Sequence, residues 1–287
     1  MHDIFYFTDV HGQLDLFQTM RDWCYKQDPE CMIIYGGDAC DRGDFGYDII
    51  ETILNDPQIV YLKGNHEDLF ARAAREILRE YPEYANQHLT LQQAQDILEQ
   101  MVFSNHRVKL HIYNGGNPTL ISWMTEGCKT KILDKLENLP LTFSTDVCDF
   151  SHAGGTYKTW SEVNKAEYND IKPNPFAAED MIWDRDHLAL GWRQNHILIH
   201  GHTPTCLLPA KIACTEKESK PIAWQGWISK EHYPGWRIDM DTGMTWTGRG
   251  YVLNCLTMKV VGFWDHDIDK IIAKRPIEQE FENYKII

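Results

Sequence analysis

The chain has 287 residues, 43% of them hydrophobic and 12% aromatic, which describes a folded globular protein with a core of ordinary size. Its formal net charge of −14 argues against a broad nucleic-acid surface or an anionic membrane as partner. No apolar run reaches the about 18 residues of a membrane span. Met1-His2-Asp3 leads straight into a strand, with no basic segment or apolar signal core, so a cytoplasmic location is expected. The eight cysteines include no CxxC pair and read as small buried apolar side chains, not as a disulfide or zinc framework.

Ile4-Phe5-Tyr6-Phe7-Thr8 reads as a strand, and Leu14 to Tyr25 as a helix. Met32 to Tyr35 is a second strand, followed by a Gly-rich turn and a helix from about Tyr47 to Leu54. Ile59 to Leu62 is a third, with Glu67 to Arg79 helical. Strand, turn and helix in three rounds imply βαβ units with right-handed crossovers and a parallel sheet. Residues from about 68 to 141 form a mostly helical insertion (69–81, 91–102, 129–136) within a single domain spanning 1–287. His88, His106 and His111 lie in it and read as structural or surface groups. Strands are expected again at Phe150-Ser151 and His196 to His200, with a closing hairpin from Tyr251 to Trp264. The polar tail after Ile272 offers no chemistry. Trp224, Trp227, Trp236 and Trp246 crowd one segment, read as sheet core and ordered loop, with an aromatic groove wall as the alternative.

Every early strand ends in the same kind of chemistry. The first delivers Asp9, His11 and Gly12, the second Gly37, Asp38, Asp41, Arg42 and Gly43, and the third Gly64, Asn65, His66 and Glu67. Asp9 to Asp38 is 29 residues and Asp38 to Asn65 is 27, each about one βαβ repeat. Asp, Asp and Asn therefore stand side by side at the carboxyl edge of the sheet, where ligands bind in open α/β folds. An Asp at a strand end often only caps the next helix. Several such acids together would repel one another unless cations lie between them. Mixed O and N donors suit Mn²⁺, Fe or Zn²⁺ better than Ca²⁺. His152 and His202 each follow a later strand and add nitrogen donors.

Taken together, DVHG (9–12), GDACDRG (37–43), GNHE (64–67), HAG (152–154) and GHTP (201–204) resemble the calcineurin-like metallophosphatases. The likeness is specifically to their PPP branch, which holds the serine/threonine protein phosphatases and bacterial dinucleoside tetraphosphatases. Thr8 departs from the glycine common there, at a position that is no ligand. The resemblance implies a four-layer α/β/β/α sandwich carrying two divalent ions, with Mn²⁺ the first expectation. Asp9, His11 and Asp38 would hold one ion. Asp38 would bridge to a second, completed by Asn65, His152 and His202. A neutral Asn65 keeps such a site net positive, so an acidic chain can still bind phosphate. The resemblance further makes His66 the general acid, with Asp41 holding its ring. Arg42 would grip phosphate oxygens, as would Arg185, from a Trp-x-Arg segment similar to one in bacterial and phage members. His200 is declined as a ligand, because Pro204 stands where other branches place a second histidine. The expected substrate is a phosphoprotein, with a small phosphoester or a dinucleoside polyphosphate as the alternative. A phosphate-binding module without catalysis is the third reading, and it predicts a missing ligand or acid.

Overall fold

The computed structural model describes residues 2–215, 219–228, 232–264 and 273–280. The first six elements are β1 (Ile4–Phe7), α1 (Leu14–Gln27), β2 (Met32–Tyr35), α2 (Gly46–Leu54), β3 (Ile59–Tyr61) and α3 (Asn65–Glu80). The strands are short, but their apolar runs pair in parallel, with Ile4 opposite Met32 and Ile33 opposite Ile59. Alternate residues then face opposite layers. Tyr6, Ile34 and Leu62 point to one side, and Phe5, Phe7, Ile33 and Tyr35 to the other, where the helices pack. Because both faces are covered, the strands read as unbroken hydrophobic runs.

Four helices follow α3: α4 (Leu91–Ser104), α5 (His106–Tyr113), α6 (Asn117–Thr125) and α7 (Thr130–Glu137). They share one apolar core with α1 to α3, built around Phe70, Leu98, Trp123 and Leu133. Residues 106–125, to which the sequence pattern assigns no element, form α5 and α6. Each is under ten residues long and has a weak apolar period, so its stability comes from tertiary packing.

The second half contributes β4 (Thr142–Ser144), β5 (Cys148–Ser151), α8 (Tyr157–Tyr168), α9 (Pro175–Trp183), β6 (Ile197–His200), β7 (Ile222–Gln225) and β8 (Trp236–Asp239). The chain then adds α10 (Met244–Thr247), β9 (Arg249–Asn254), β10 (Lys259–Trp264) and β11 (Ala273–Glu280). One sheet has the order β11-β10-β9-β1-β2-β3, the other β4-β5-β6-β8-β7, and each mixes parallel with antiparallel pairs. The two sheets meet across Tyr6, Ile34, Phe150, Ile199, Ile238 and Leu253, with Tyr6 and Phe150 stacked at 5.6 Å. α8 and α9 cover the far side through Trp160 and Met181, packed against Trp192 of the following loop. The molecule is thus an α/β fold of two mixed sheets flanked by helices.

The polar tail after Ile272 contains β11, paired antiparallel with β10. Its composition gives no local strand signal, so the neighbouring strand supplies the order. Residues 281–287 lie outside the described residues. Of the tryptophan-dense segment, Trp224 is buried against His200 at 5.7 Å, whereas Trp246 is half exposed.

Candidate metal centre

The carboxyl ends of β1, β2, β3, β5 and β6 converge on one point between the sheets. The loops there turn so sharply that Asp9, His11, Asp38, Asp41, Arg42 and His202 all have positive φ, between 43° and 71°. These six are more than half of the eleven such non-glycine residues among those described. Left-handed backbone at non-glycine residues costs about 1–3 kcal/mol each and gathers where function requires it. Glycines permit the close approach. A Cβ on Gly64 would lie 2.2 Å from Asp38 Oδ1, and one on Gly201 would lie 2.1 Å from Asp9 Oδ2.

Glu67 braces these turns from behind. Fully buried, it accepts the backbone N–H groups of Asp38 (2.9 Å), Ala39 (2.8 Å) and Gly64 (2.8 Å), and the Tyr61 hydroxyl (2.8 Å). The sequence shows Glu67 in its motif without revealing this role, which needs β2 and β3 side by side. Its carboxyl is raised by burial and then by Asp38, against those donors.

Each residue read from sequence as a ligand is buried here: Asp9, His11, Asp38, Asn65, His152 and His202. Donor atoms of His11, Asp38 and His66 lie within 4.8 Å of one another, and so do those of Asp38, His152 and His202. Asp38 belongs to both groups. Its Oδ2 is 3.5 Å from His11 Nε2 and its Oδ1 is 3.4 Å from His152 Nε2. Asn65 Oδ1 lies 3.0 Å from His152 Nε2 and 2.9 Å from His202 Nδ1. Donor atoms this close together would be able to share a divalent ion. Asp9 enters from β1, with its carboxylate 3.2 Å from the His202 backbone N–H.

Ring orientation is fixed from outside the cluster. His11 Nδ1 faces the Cys40 carbonyl at 2.8 Å and His152 Nδ1 the Gly36 carbonyl at 2.8 Å, so each donates there and turns Nε2 inward. Burial, reinforced by His66, lowers His11 to about 3, leaving a neutral imidazole. Asp38 is held well below its usual range: burial opposes its charge, but His152 and then His66 outweigh it. His152 is pushed up to about 10, because Asp38 and Asp9 outweigh burial. The carboxylates thus demand positive charge between them. A divalent cation satisfies that demand and frees His152 as a neutral donor. His202 Nε2, buried with no hydrogen-bond partner, adds a nitrogen lone pair or N–H still to be used. The donor set fits divalent ions.

One imidazole is held differently. His66 Nδ1 meets Asp41 Oδ2 at 2.7 Å, and its backbone N–H donates to Asp38 Oδ1 at 3.0 Å. Its pKa is raised: burial lowers it, but Asp38 and the bond to Asp41 prevail. With Nδ1 committed to Asp41, Nε2 faces the centre, 3.1 Å from Arg42 Nη2. Arg42 Nη1 also reaches His11 Nε2 at 2.6 Å, a contact exclusive with coordination by that nitrogen. Arg185 is exposed and reaches the rim, where its Nη2 donates to the His202 carbonyl at 3.3 Å.

Of the insertion histidines read as structural or surface groups, His111 is an internal one. It is fully buried, and its Nε2 lies 2.9 Å from both carboxylate oxygens of Asp41. His88 and His106 are exposed. His200, declined as a ligand, is buried beside Asp239 at 4.0 Å and Trp224, in neither donor group. Asp241 is pushed up to about 6 by burial, which the Gly243 N–H and Arg42 oppose and Asp38 reinforces. Trp183 stands edge-on to His202 at 6.0 Å. Trp183 also lines a groove of about 1280 Å³ between the helical insertion and α8–α9, with Lys63, Leu69, Arg72, Leu110 and Ile182.

A family model described as calcineurin-like phosphoesterase matches residues 2–206. A search of curated protein sequences finds no significant match. Among solved structures, the cold-active protein-tyrosine phosphatase of a psychrophilic Shewanella species is 14% identical with a TM-score of 0.47, covering 92% of this chain and 78% of that one. A metallophosphoesterase from Sphaerobacter thermophilus is 14% identical with a TM-score of 0.44, covering 91% and 83%. A protein serine/threonine phosphatase from Saccharomyces cerevisiae is 12% identical with a TM-score of 0.43, covering 100% and 82%. None of the three supports a conclusion about substrate. The family match takes in all five motifs and every strand end that builds the centre, and on it the chain belongs to the calcineurin-like phosphoesterase family.

Proposed function

We propose that this phosphoesterase hydrolyses phosphomonoesters on protein, as a serine/threonine-type phosphatase of the PPP branch with two divalent ions, Mn²⁺ first among them. The observation that carries the reading is a buried imidazole, His66, fixed by the Asp41 carboxylate in one of two donor groups that share Asp38. A site for binding alone has no need of a positioned proton donor.

Bound divalent ions would supply polarisation of the phosphoryl oxygens and a water acidified to a nucleophile near neutral pH. Asp9, His11 and Asp38 would hold one, and Asp38, Asn65, His152 and His202 the other. The side chains do the rest. Arg42, in reach of His11 and His66, presents two N–H groups to a phosphate by the planar fork that lysine lacks. Arg185 approaches from the rim. His66 gives the Nε2 proton to the leaving oxygen, while Asp41 keeps Nδ1–H in place and stabilises the charged ring. Trp183 and the buried loops restrict water around the transferred group.

The groove beside Trp183 favours a polypeptide over a dinucleotide. It is large, and its lining mixes apolar Leu69, Leu110 and Ile182 with both signs of charge, including Lys63, Asp68, Arg72 and Glu179. Extended peptide flanking a phosphorylated residue suits such a wall. The test compares Mn²⁺-loaded protein on phosphoserine and phosphothreonine peptides with diadenosine tetraphosphate. A higher kcat/KM on the peptides supports the reading, and a higher value on the dinucleotide replaces it with the anhydride hydrolase. Asn in place of His66 should keep the metal and lose turnover.

A further inference from the structure

The helical insertion reaches back to the centre at three points, and all three fall on Asp41 and Arg42. From α5, His111 sets Nε2 2.9 Å from both Oδ1 and Oδ2 of Asp41. From α6, Thr119 donates its hydroxyl to Asp41 Oδ1 at 2.7 Å and accepts the Asp41 backbone N–H at 3.0 Å. In the turn between those helices, the Gly115 carbonyl accepts the Arg42 N–H at 2.9 Å. Asp41 and Arg42 both have positive φ, 71° and 65°. Strained backbone of this kind persists only where its surroundings hold it. Here the α5–α6 pair is what holds it.

His111 is not explained as packing. Its ring is fully buried near Phe70, at 5.9 Å, and lies so close to Gly116 that a Cβ there would sit 2.2 Å from Nε2. Its Nδ1 is buried with no hydrogen-bond partner. A phenylalanine would leave no ring nitrogen stranded there, at the cost of one donor to the Asp41 carboxylate. The imidazole is retained for the bond that Nε2–H makes with Asp41, since an ionised carboxylate can only accept.

We propose that His111 is a positioning residue for proton donation: it fixes the Asp41 carboxylate so that Oδ2 meets His66 Nδ1, making the α5–α6 pair part of the catalytic machinery. The proposal rests on the reading of His66 as the general acid. His66, Asp41 and His111 form one hydrogen-bonded chain, with Thr119 as a second anchor. Without His111 the carboxylate can rotate about its χ angles, and the His66 ring loses its fixed direction.

General acid assistance matters most when the leaving oxygen is strongly basic. The test therefore sets phenyl phosphate, a poor leaving group, against p-nitrophenyl phosphate, a good one, in Mn²⁺-loaded His111→Phe and His66→Asn. His111→Phe should lower kcat on phenyl phosphate about ten-fold more than on p-nitrophenyl phosphate, with KM little changed. His111→Gln, which retains a donor, should recover part of the loss, and Thr119→Val should show a weaker bias of the same sign. Adding His111→Phe to His66→Asn should cost nothing further. In metal-free protein, the downfield ring N–H proton of His66 should broaden in His111→Phe.

Equal losses on the two substrates, or full additivity with His66→Asn, would make His111 structural and overturn the proposal. If His111→Phe fails to fold, Thr119→Val carries the same comparison, and an unbiased loss there overturns it. A leaving-group bias in His66→Asn with none in His111→Phe sinks the positioning role alone. No bias in His66→Asn removes the acid itself, and the proposal with it.

Discussion

The two sheets contribute unequally to the centre they share. The first supplies Asp9, His11, Asp38 and Asn65, together with His66, Asp41 and Arg42, from three adjacent parallel strands. The second supplies His152 and His202, from β5 and β6. Five of the six positive-φ residues at the centre, Asp9, His11, Asp38, Asp41 and Arg42, belong to the first sheet, and only His202 to the second. Charge divides the same way: the carboxylates Asp9, Asp38 and Asp41 stand on the first side, and the second adds to the donor groups only the imidazoles of His152 and His202. On the proposed reading, the strained side performs the chemistry, while the relaxed side closes the cage.

If so, damage to the first side should be graver. The largest effect is expected from Asp38→Asn, because Asp38 serves both donor groups. Metal analysis should find both ions lost, and phosphatase activity should fall at least about a thousand-fold. Retention of either ion in this variant would break the comparison. His66→Asn comes next: full metal content, with kcat lower by roughly 10²–10⁴. On the second side, His202→Ala should be milder in metal terms. About half the metal should remain in the isolated variant, since His202 enters one group only.

Smaller still is the effect of removing the brace. Glu67→Gln keeps the shape but puts an amide N–H against backbone donors of Asp38, Ala39 or Gly64. A stability loss of about 1–3 kcal/mol is expected by urea unfolding, with metal affinity weakened alongside. The smallest change sharpens the contrast by its insignificance. Arg75→Ala breaks exposed pairs with Asp134 and Glu137, far from any strained loop, and should cost about 0–1 kcal/mol. Its metal content and turnover should match the parent protein.

What is legible in the sequence follows the same division. Asp9, Asp38 and Asn65 recur at a spacing of one βαβ repeat, so their alignment can be read from residue numbers alone. His152 and His202 follow strands with no such rhythm, and only the likeness of HAG and GHTP to family motifs marks them. His111 gives no signal. It stands in an eight-residue helix, and its partner Asp41 is 70 positions away. Glu67 is visible as a letter in a motif, but its four donors come from two segments, 38–39 and 61–64, that only the folded sheet brings together.

The sequence by itself determined the donor inventory and the sheet edge on which most of it stands, because parallel pairing with a repeat of fixed length forces equivalent residues into register. Tertiary structure alone decided what those donors face. It brought the backbone of His202 to Asp9 across 193 positions, and it folded α5 and α6 back onto Asp41. Contacts at that separation depend on how two sheets and an insertion pack, and no local pattern of residues encodes them.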